Sequence, residues 1–405
     1  MFKKILSLVL AVAMLCTMAI AFASCGDEEE EGTSNFKLGV ILLHDEASTY
    51  DNNFIEGVER AKKELGLTDA QVIYKKNIPE SNACYEAACD LVDQGCDIIF
   101  ADSFGHETYM IQAAEEFPEV QFCHATGTMA HTENLPNYHN AFASIYEGRF
   151  LAGVAAGLKL NEMIAAGKIT AAQAKMGYVG AFTYAEVISG YTSFYLGAKS
   201  VCPSVTMDVQ FTGSWYDEIM EKEAATALIE SGCVLISQHA DSMGAPSVCE
   251  ERKVPNVSYN GSTVASCPET FIVSSKINWT PYFVYICQAV QNNQAIAVDW
   301  TGTIATGSVE LSAVNTAAAA EGTQAVIDDV KAKLQSGEIK VFDTTTFTVG
   351  GAAISDSHKA DVDTDSAYTP DTDVVDGGEF QESKFRSAPY FDLRIDGITL
   401  INEKY

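Results

Sequence analysis

Positive charge is scarce in this 405-residue chain: 25 Lys and Arg stand against 55 Asp and Glu, a formal net charge of −30. So acidic a surface repels phosphate backbones. That excludes nucleic acid as a partner and disfavours strongly anionic ligands outside a local basic pocket. Catalytic signatures are missing as well. No GxGxxG follows the first apolar run, and there is no Walker loop, no GxSxG and no HExxH. No CxxC occurs among the 11 cysteines, which removes the common redox and zinc-ribbon readings. Disorder is excluded by the 47% of hydrophobic residues, enough for one large or two medium domains.

Long apolar runs are confined to the N-terminus. Lys3 and Lys4 precede an almost unbroken apolar stretch from Ile5 to Phe22, followed by Phe22-Ala23-Ser24-Cys25. Two small residues before a cysteine read as a bacterial lipobox, with Cys25 lipidated and first in the mature chain. An ordinary signal peptide and a single membrane anchor are the alternatives. The switch to Gly26-Asp27-Glu28-Glu29-Glu30-Glu31-Gly32 fits a solvated tether. The expected location is the extracytoplasmic face of the cell membrane, held by lipid. Beyond Cys16 and Cys25 the remaining cysteines are odd in number and scattered through apolar segments, so buried free thiols are expected. Cys84 with Cys89 is the one pair considered for a disulfide.

From residue 37, short continuous apolar runs alternate with helical patterns. Leu38 to Leu43, Gln71 to Tyr74, Asp97 to Ala101 and Val120 to His124 read as strands, with helices over Asn53 to Gly66, Ser81 to Gln94 and Glu107 to Phe117. Continuous rather than alternating apolar runs mark strands covered on both faces. A second series begins with a helix over Tyr146 to Leu160. Strands follow at 175–182, 205–211, 233–237, 256–259 and 271–274, and helices at 186–200, 217–231, 246–253 and 281–292. The implied class is α/β, with two doubly wound parallel-sheet lobes. In such a fold the ligand sits at the carboxyl ends of the strands, between the lobes. The tail is expected to hold a helix over Ala317 to Ser336 and an acidic surface loop over 355–379.

Two metal patterns fail on inspection. Asp361-x-Asp363-x-Asp365 opens like a calcium loop, but Ser366 stands where glycine is needed and Thr372 where a bidentate glutamate is needed. His124, His131 and His139 lack a ligand spacing. No metal or cofactor is therefore expected. The informative pattern is positional. Polar and aromatic residues cluster just after the strands, as in His44 to Asp51, Asp102 to His106, Thr183 to Glu186, Thr212 to Asp217, Gln238 to Ser242 and Asn278 to Tyr282. Rings, carboxylates and amides together suit a flat, neutral, hydrogen-bonding ligand. The competing reading makes Asp45, Ser103 and Asp217 helix caps, and Trp215 and Trp279 packing residues.

At these loops the sequence resembles a known family. Tyr146-Glu147-Gly148-Arg149-Phe150-Leu151-Ala152-Gly153, Gly177-Tyr178-Val179-Gly180-Ala181-Phe182, Ser214-Trp215-Tyr216-Asp217, Gln238-His239-Ala240-Asp241-Ser242 and Asn278-Trp279-Thr280-Pro281-Tyr282 carry the likeness. It is to the basic membrane protein family of ABC-transporter substrate-binding lipoproteins, of the purine-nucleoside receptor type, over roughly 37–310 and 386–398. The resemblance implies a type 1 periplasmic-binding-protein fold with three hinge crossings. It divides the chain into a signal peptide (1–24), an acidic tether (25–35), a first lobe (36–141 and 257–305) and a second lobe (142–256 and 306–405). It implies a purine base or nucleoside as ligand, an ABC permease and ATPase as partners, and no bond-making chemistry. Tyr50, Phe104, Glu186, Trp215, Asp241 and Trp279 carry over as pocket residues, with Tyr50 stacking on the base. Asp51-Asn52-Asn53-Phe54 departs from the Asp-Lys-Ser-Phe signature of the nucleoside-binding branch, and Ile277 stands where that branch has a ribose-binding lysine. Both departures favour a base. A ligand sensor or a sugar-binding protein of the same fold are the alternatives. A nucleoside hydrolase would need an aspartate cluster that Asp45 and Asp51 do not supply.

Overall fold

A computed structural model describes residues 35–354, 356–362 and 370–404. Cys25 with its leader and most of its tether, and Asp363 and Asp365 of the acidic loop, lie outside the described residues.

The first lobe builds in chain order from β1 (Leu38–Ile41), α1 (Thr49–Leu65), β2 (Val72–Lys75), α2 (Asn82–Asp93), β3 (Ile98–Ala101), α3 (Glu107–Glu116), β4 (Gln121–Ala125), a short helix α4 (Ala130–Glu133) and β5 (Tyr138–Ala143). The chain then enters the second lobe through α5 (Ile145–Ala165). There follow β6 (Lys175–Gly180), α6 (Ala185–Val201), β7 (Thr206–Phe211), α7 (Glu218–Glu230), β8 (Leu235–His239), α8 (Gly244–Arg252), β9 (Asn256–Tyr259) and β10 (Phe271–Ile277). It returns to the first lobe with α9 (Thr280–Gln291) and β11 (Asp299–Gly302), which pairs in parallel with β5. It crosses again to β12 (Val309–Leu311), antiparallel to β10, and α10 (Thr323–Gln335).

The sheets therefore run β11-β5-β4-β3-β1-β2 and β12-β10-β9-β8-β6-β7, the latter extended by a last strand described below. Strands such as β1 and β3, buried at every position, sit under helices on both faces. The crossings fall at 143–145, 277–280 and 302–309. This corrects the expected return at residue 257. β9 and β10 continue the second strand–helix series, and their hydrogen bonds to β8 and to each other place them in the second sheet. β5, β11 and β12 have no counterpart among the expected strands. Buried polar residues hide the pattern of β5: Asn140 bonds to Glu107 and Tyr138, and His139 to Gln121 and the Ala297 carbonyl. The two others are short and pair with strands distant in sequence, β11 with β5 and β12 with β10.

Caps set where the helices begin. Ser48 Oγ accepts from Asp51 N (3.2 Å), and Gly66, at φ 68°, ends α1. The expected tail helix starts late, at Thr323, because Gly322 before it takes the left-handed conformation (φ 78°). Within the described residues the tail carries short two-stranded ribbons. β13 (Thr348–Val349) pairs with β14 (Ala352–Ala353), β15 (Lys359–Ala360) with β16 (Thr372–Asp373), and β17 (Val375–Asp376) with β18 (Glu379–Phe380). Val374 and Phe380 are buried and anchor these ribbons. β19 (Ile398–Leu400) then completes the second sheet beside β7. Nine cysteines, Cys84 and Cys89 among them, are unpaired thiols, all buried except the half-buried Cys89.

Candidate ligand-binding site

The strand ends of the two lobes face each other. From the first lobe, the Ser48 cap fixes the opening turn of α1 and so the ring of Tyr50. Its hydroxyl donates to the Asp102 carbonyl (2.7 Å), and its ring lies edge-on to Phe54 at 4.9 Å. Phe104 stands on a tight turn after β3 that Glu80 ties down. Glu80 Oε1 accepts from Ser103 Oγ (2.6 Å) and Gly105 N (2.8 Å), while His124 Nε2 donates to the Ser103 carbonyl (2.6 Å). Thr126 follows β4 with φ 64°, a conformation a threonine rarely takes. Buried Glu107 holds the adjoining loop by accepting from Thr128 N (2.8 Å), Met129 N (2.9 Å) and Tyr138 OH (3.0 Å). Gly127 is required there, since a Cβ would lie 1.9 Å from Asn140 Nδ2.

The second lobe supplies Glu186 from the first turn of α6, Trp215 after β7, His239 and Asp241 at the end of β8, and Tyr259 at the end of β9. His239 Nε2 donates to Glu186 Oε1 (3.2 Å), and its ring packs on Tyr259 at 4.3 Å. Trp215 meets Phe182 edge-on at 5.1 Å. Backbone bonds fix Asp241: its N–H donates to the Trp215 carbonyl (3.0 Å), and its carbonyl accepts from Thr49 N (3.1 Å) across the cleft. Its carboxyl group has no hydrogen-bond partner among the described residues. Between the lobes lies a narrow cavity. Tyr50, Phe104, Glu186, Trp215 and Asp241, all expected from the sequence, line it.

Trp279 does not, and this is a correction. Its side chain is buried in the first lobe, stacked on Phe54 at 4.4 Å and flanked by Phe100, Phe142 and Tyr282. It opens α9, and Gly57 in α1 makes way for it, a Cβ there falling 2.6 Å from that of Trp279. Leu43, Ser103, Thr126, His239 and Tyr259 complete the wall and are not among the expected residues. Leu43 and Tyr259 close apolar runs and read as core. Ser103 and His239 lie in the polar loops, where they read as a cap and a scattered histidine.

The wall is acidic and aromatic, with no Lys or Arg among the described residues lining it. Burial pushes the Asp241 carboxyl well up, reinforced by repulsion from Asp51, Glu221 and Glu186. Burial also lowers His239, which stays neutral and gives its Nε2 proton to Glu186. Behind Tyr50, Asp102 is pushed well up by burial and by Asp51 beside it, so it keeps a proton. Burial opposes the Asp51 charge too, but hydrogen bonds with His44 and Ser48 outweigh it and hold that carboxyl below the usual range. No group of three or more His, Cys, Asp or Glu side chains among the described residues has the arrangement of a metal site. His124, His131 and His139 each bond elsewhere, to the Ser103 carbonyl, Asp299 and the Ala297 carbonyl.

Two lobes, three crossings and a cavity at the strand ends are the build of a solute-binding protein. A family model described as "ABC transporter substrate-binding protein PnrA-like" matches residues 42–345. The chain belongs to this family. Among curated relatives, a purine-binding protein of Brucella abortus is 29% identical over 70% of this chain and 77% of its own. The nucleoside-binding protein BmpA of Lactococcus lactis is 26% identical over 62% and 70%. A Haloferax volcanii protein named for glucose binding is 34% identical over only 46% and 44%. Two solved ABC transporter solute-binding proteins share the fold. That of Aeropyrum pernix has a TM-score of 0.62 at 18% identity, covering 75% of this chain and 92% of its own. That of Conexibacter woesei has a TM-score of 0.61 at 19% identity, covering 75% and 98%. As a family member the chain captures a small molecule outside the cytoplasm and works with a permease and an ATPase. No described helix is long and apolar enough to cross a membrane.

Proposed function

We propose that the solute is a purine base, captured between the lobes by ring stacking and by two acidic acceptors. The observation that carries this reading is Asp241: a buried carboxyl group that faces an aromatic cavity without a protein partner. Its oxygens open onto the cavity, so a ligand with N–H donors gives them partners that the protein does not. Glu186 offers a second acceptor. Tyr50, Phe104, Trp215 and Tyr259 offer ring faces, each worth ~1–3 kcal/mol to a stacked base. Those rings wall the space closely. A flat heterocycle fits such a wall better than a base carrying a ribose. The purine-binding and nucleoside-binding relatives point the same way in class. The binding cycle is a population shift: ligand stabilises the closed pairing of lobes, such as Thr49 N–H on the Asp241 carbonyl (3.1 Å), and the permease reads that form. Catalysis has no part in it.

A thermal-shift panel of adenine, guanine, hypoxanthine, adenosine, guanosine, ribose and glucose tests the ligand class. Ligand at 100 times its Kd adds ~2.7 kcal/mol of stability, so a binder stands out. Stabilisation by a base above its nucleoside is expected. Stabilisation by glucose or ribose alone would discard the purine reading and keep the fold. Free base appearing from a nucleoside would overturn the non-enzymatic one.

The reading includes a lipid anchor on Cys25, supported by the sequence before it and by the family's place outside the cytoplasm. Cys25→Ala should leave the protein uncleaved or released into the medium. A processed, membrane-retained Cys25→Ala protein would contradict the anchor.

A further inference from the structure

Tyr259 carries a hydroxyl that the protein does not use. The residue ends β9, is buried, and lines the cavity. Its ring packs against that of His239 at 4.3 Å and against the guanidinium of Arg149, from α5, at 5.3 Å. Arg149 is itself held, donating to the Ser258 carbonyl (3.2 Å) and to Ser237 Oγ (2.9 Å). These contacts fix the ring, yet the hydroxyl oxygen is shut off from solvent and has no hydrogen-bond partner among the described residues. Three other buried tyrosines differ. Tyr138 OH donates to Glu107 (3.0 Å), Tyr178 OH accepts from Arg149 Nη2 (3.1 Å), and Tyr282 OH meets the Cys123 thiol. A phenylalanine would fill the same wall without leaving a buried O–H unpaired. Packing alone does not call for a tyrosine here.

Cavity residues of both lobes surround this hydroxyl. Burial pushes the Tyr259 phenol well above its usual range, and the charges of Glu186 and Asp241 act in the same direction, so the hydroxyl keeps its proton. Tyr50 of the first lobe feels the Tyr259 hydroxyl in turn. Apart from the half-buried Trp215, the other hydroxyl and ring N–H donors of the wall are committed. Tyr50 OH donates to the Asp102 carbonyl (2.7 Å), Ser103 Oγ to Glu80 (2.6 Å), Thr126 Oγ1 to the Ala125 carbonyl (2.5 Å) and His239 Nε2 to Glu186 (3.2 Å).

We propose that Tyr259 determines specificity at the ligand site: besides its ring contact, its hydroxyl donates to a ring nitrogen of the bound heterocycle, beside the N–H groups that Asp241 and Glu186 accept. The proposal rests on the reading of the solute as a purine base and narrows it. The ligand must carry an acceptor nitrogen next to its N–H donors. A ring with C–H at that position leaves the hydroxyl unpaired in the complex and is rejected. Stacking on Tyr50, Phe104 and Trp215 accepts any flat ring, so this donor supplies discrimination that stacking lacks.

The first test needs no ligand. Tyr259→Phe should melt at or above the wild-type temperature, because the hydroxyl it removes has no partner to lose. A lower melting temperature, or a variant that does not fold, shows the hydroxyl bonded in the ligand-free protein and overturns the proposal. The second test is calorimetry with adenine and with the adenine analogues in which the N1, N3 or N7 nitrogen is replaced by C–H. Wild type should bind one of these analogues about tenfold more weakly than adenine. Tyr259→Phe should bind adenine about tenfold more weakly than wild type does, and should bind that same analogue no more weakly than adenine. Equal adenine affinity in the two proteins overturns the proposal, and so does a wild type that binds adenine and every analogue alike. Losses that multiply when variant and analogue are combined mark two separate effects and overturn it as well. If glucose or ribose binds and adenine does not, the purine reading fails. Tyr259→Phe then decides the donor by itself: a loss of about tenfold for that sugar keeps it, and an unchanged affinity removes it.

Discussion

Two aromatic residues with similar sequence credentials have opposite fates. Tyr50 and Trp279 each follow a strand and open a helix, yet Tyr50 lines the cavity and Trp279 is stacked on Phe54 inside the first lobe. Their alanine variants should separate accordingly. Tyr50→Ala removes a ring face worth ~1–3 kcal/mol, so base affinity should fall about tenfold or more by calorimetry, with little change in melting temperature. An unchanged Kd would remove Tyr50 from the site. Trp279→Ala leaves a core cavity and should cost ~3–5 kcal/mol in urea denaturation, with the Kd of the remaining folded protein preserved. A weakened Kd at full stability would return Trp279 to the ligand. The sequence marks both as candidates because it shows position relative to a strand. It does not show which side of the helix start faces the cleft.

Among the elements, close helix packing decides how the second lobe holds its half of the site. α5 and α6 approach until Cβ atoms no longer fit: one added at Gly153 would lie 2.0 Å from the Phe194 carbonyl oxygen, and one at Gly197 2.0 Å from that of Phe150. Glu186 lies in the first turn of α6, and α5 carries Arg149, so this crossing positions both. Gly153→Ala should force the helices apart and cost ~1–3 kcal/mol, measured as a lower urea midpoint. A stability equal to wild type would show that the helices slide without loss. The strand–helix alternation and most element ends are legible in the sequence, because continuous apolar runs and caps such as Ser48 and Asp217 are local signals. β5, β11 and β12 are not legible. Their stability comes from partners distant in sequence, as when Asp299 of β11 pairs with Asn140.

For the molecule as a whole, buried ionisable groups set the response to pH. Burial pushes Glu147, Glu221 and Glu382 up to about 7. The folded state then binds more protons than the unfolded chain from about 4.5 to 7, and these groups lower stability as pH rises through that window. Burial lowers His106, His124 and His139 to about 4. They act in the opposite sense, adding stability as pH rises from about 4 to 6.5. Asp102 and Asp241, also pushed well up by burial, act with the glutamates and tip the balance. The urea midpoint should therefore fall as pH rises from about 4.5 to 7. It should also drop below about pH 4, as Asp51, held below its usual value, takes up a proton. Glu221→Gln should reduce the fall between about pH 4.5 and 7. A midpoint that climbs over that range would show these carboxyls ionising at ordinary values.

Composition and pattern were enough to define the class of fold and the loops that face the cleft, from runs of apolar residues and from the rule that loops after parallel strands face a cleft. The choice of Tyr50, Phe104, Glu186, Trp215 and Asp241 within those loops came from the family resemblance. Where the chain changes lobes needed the assembled sheets, since β9 and β10 are assigned by hydrogen bonds to β8 and to each other, not by their own residues. Packing in three dimensions also removed Trp279 from the cavity and added Tyr259 and His239 to it. It brought Arg149 of α5 onto Ser237 and Ser258, because α5, β8 and β9 are far apart along the chain and meet only when the second sheet packs against its helix.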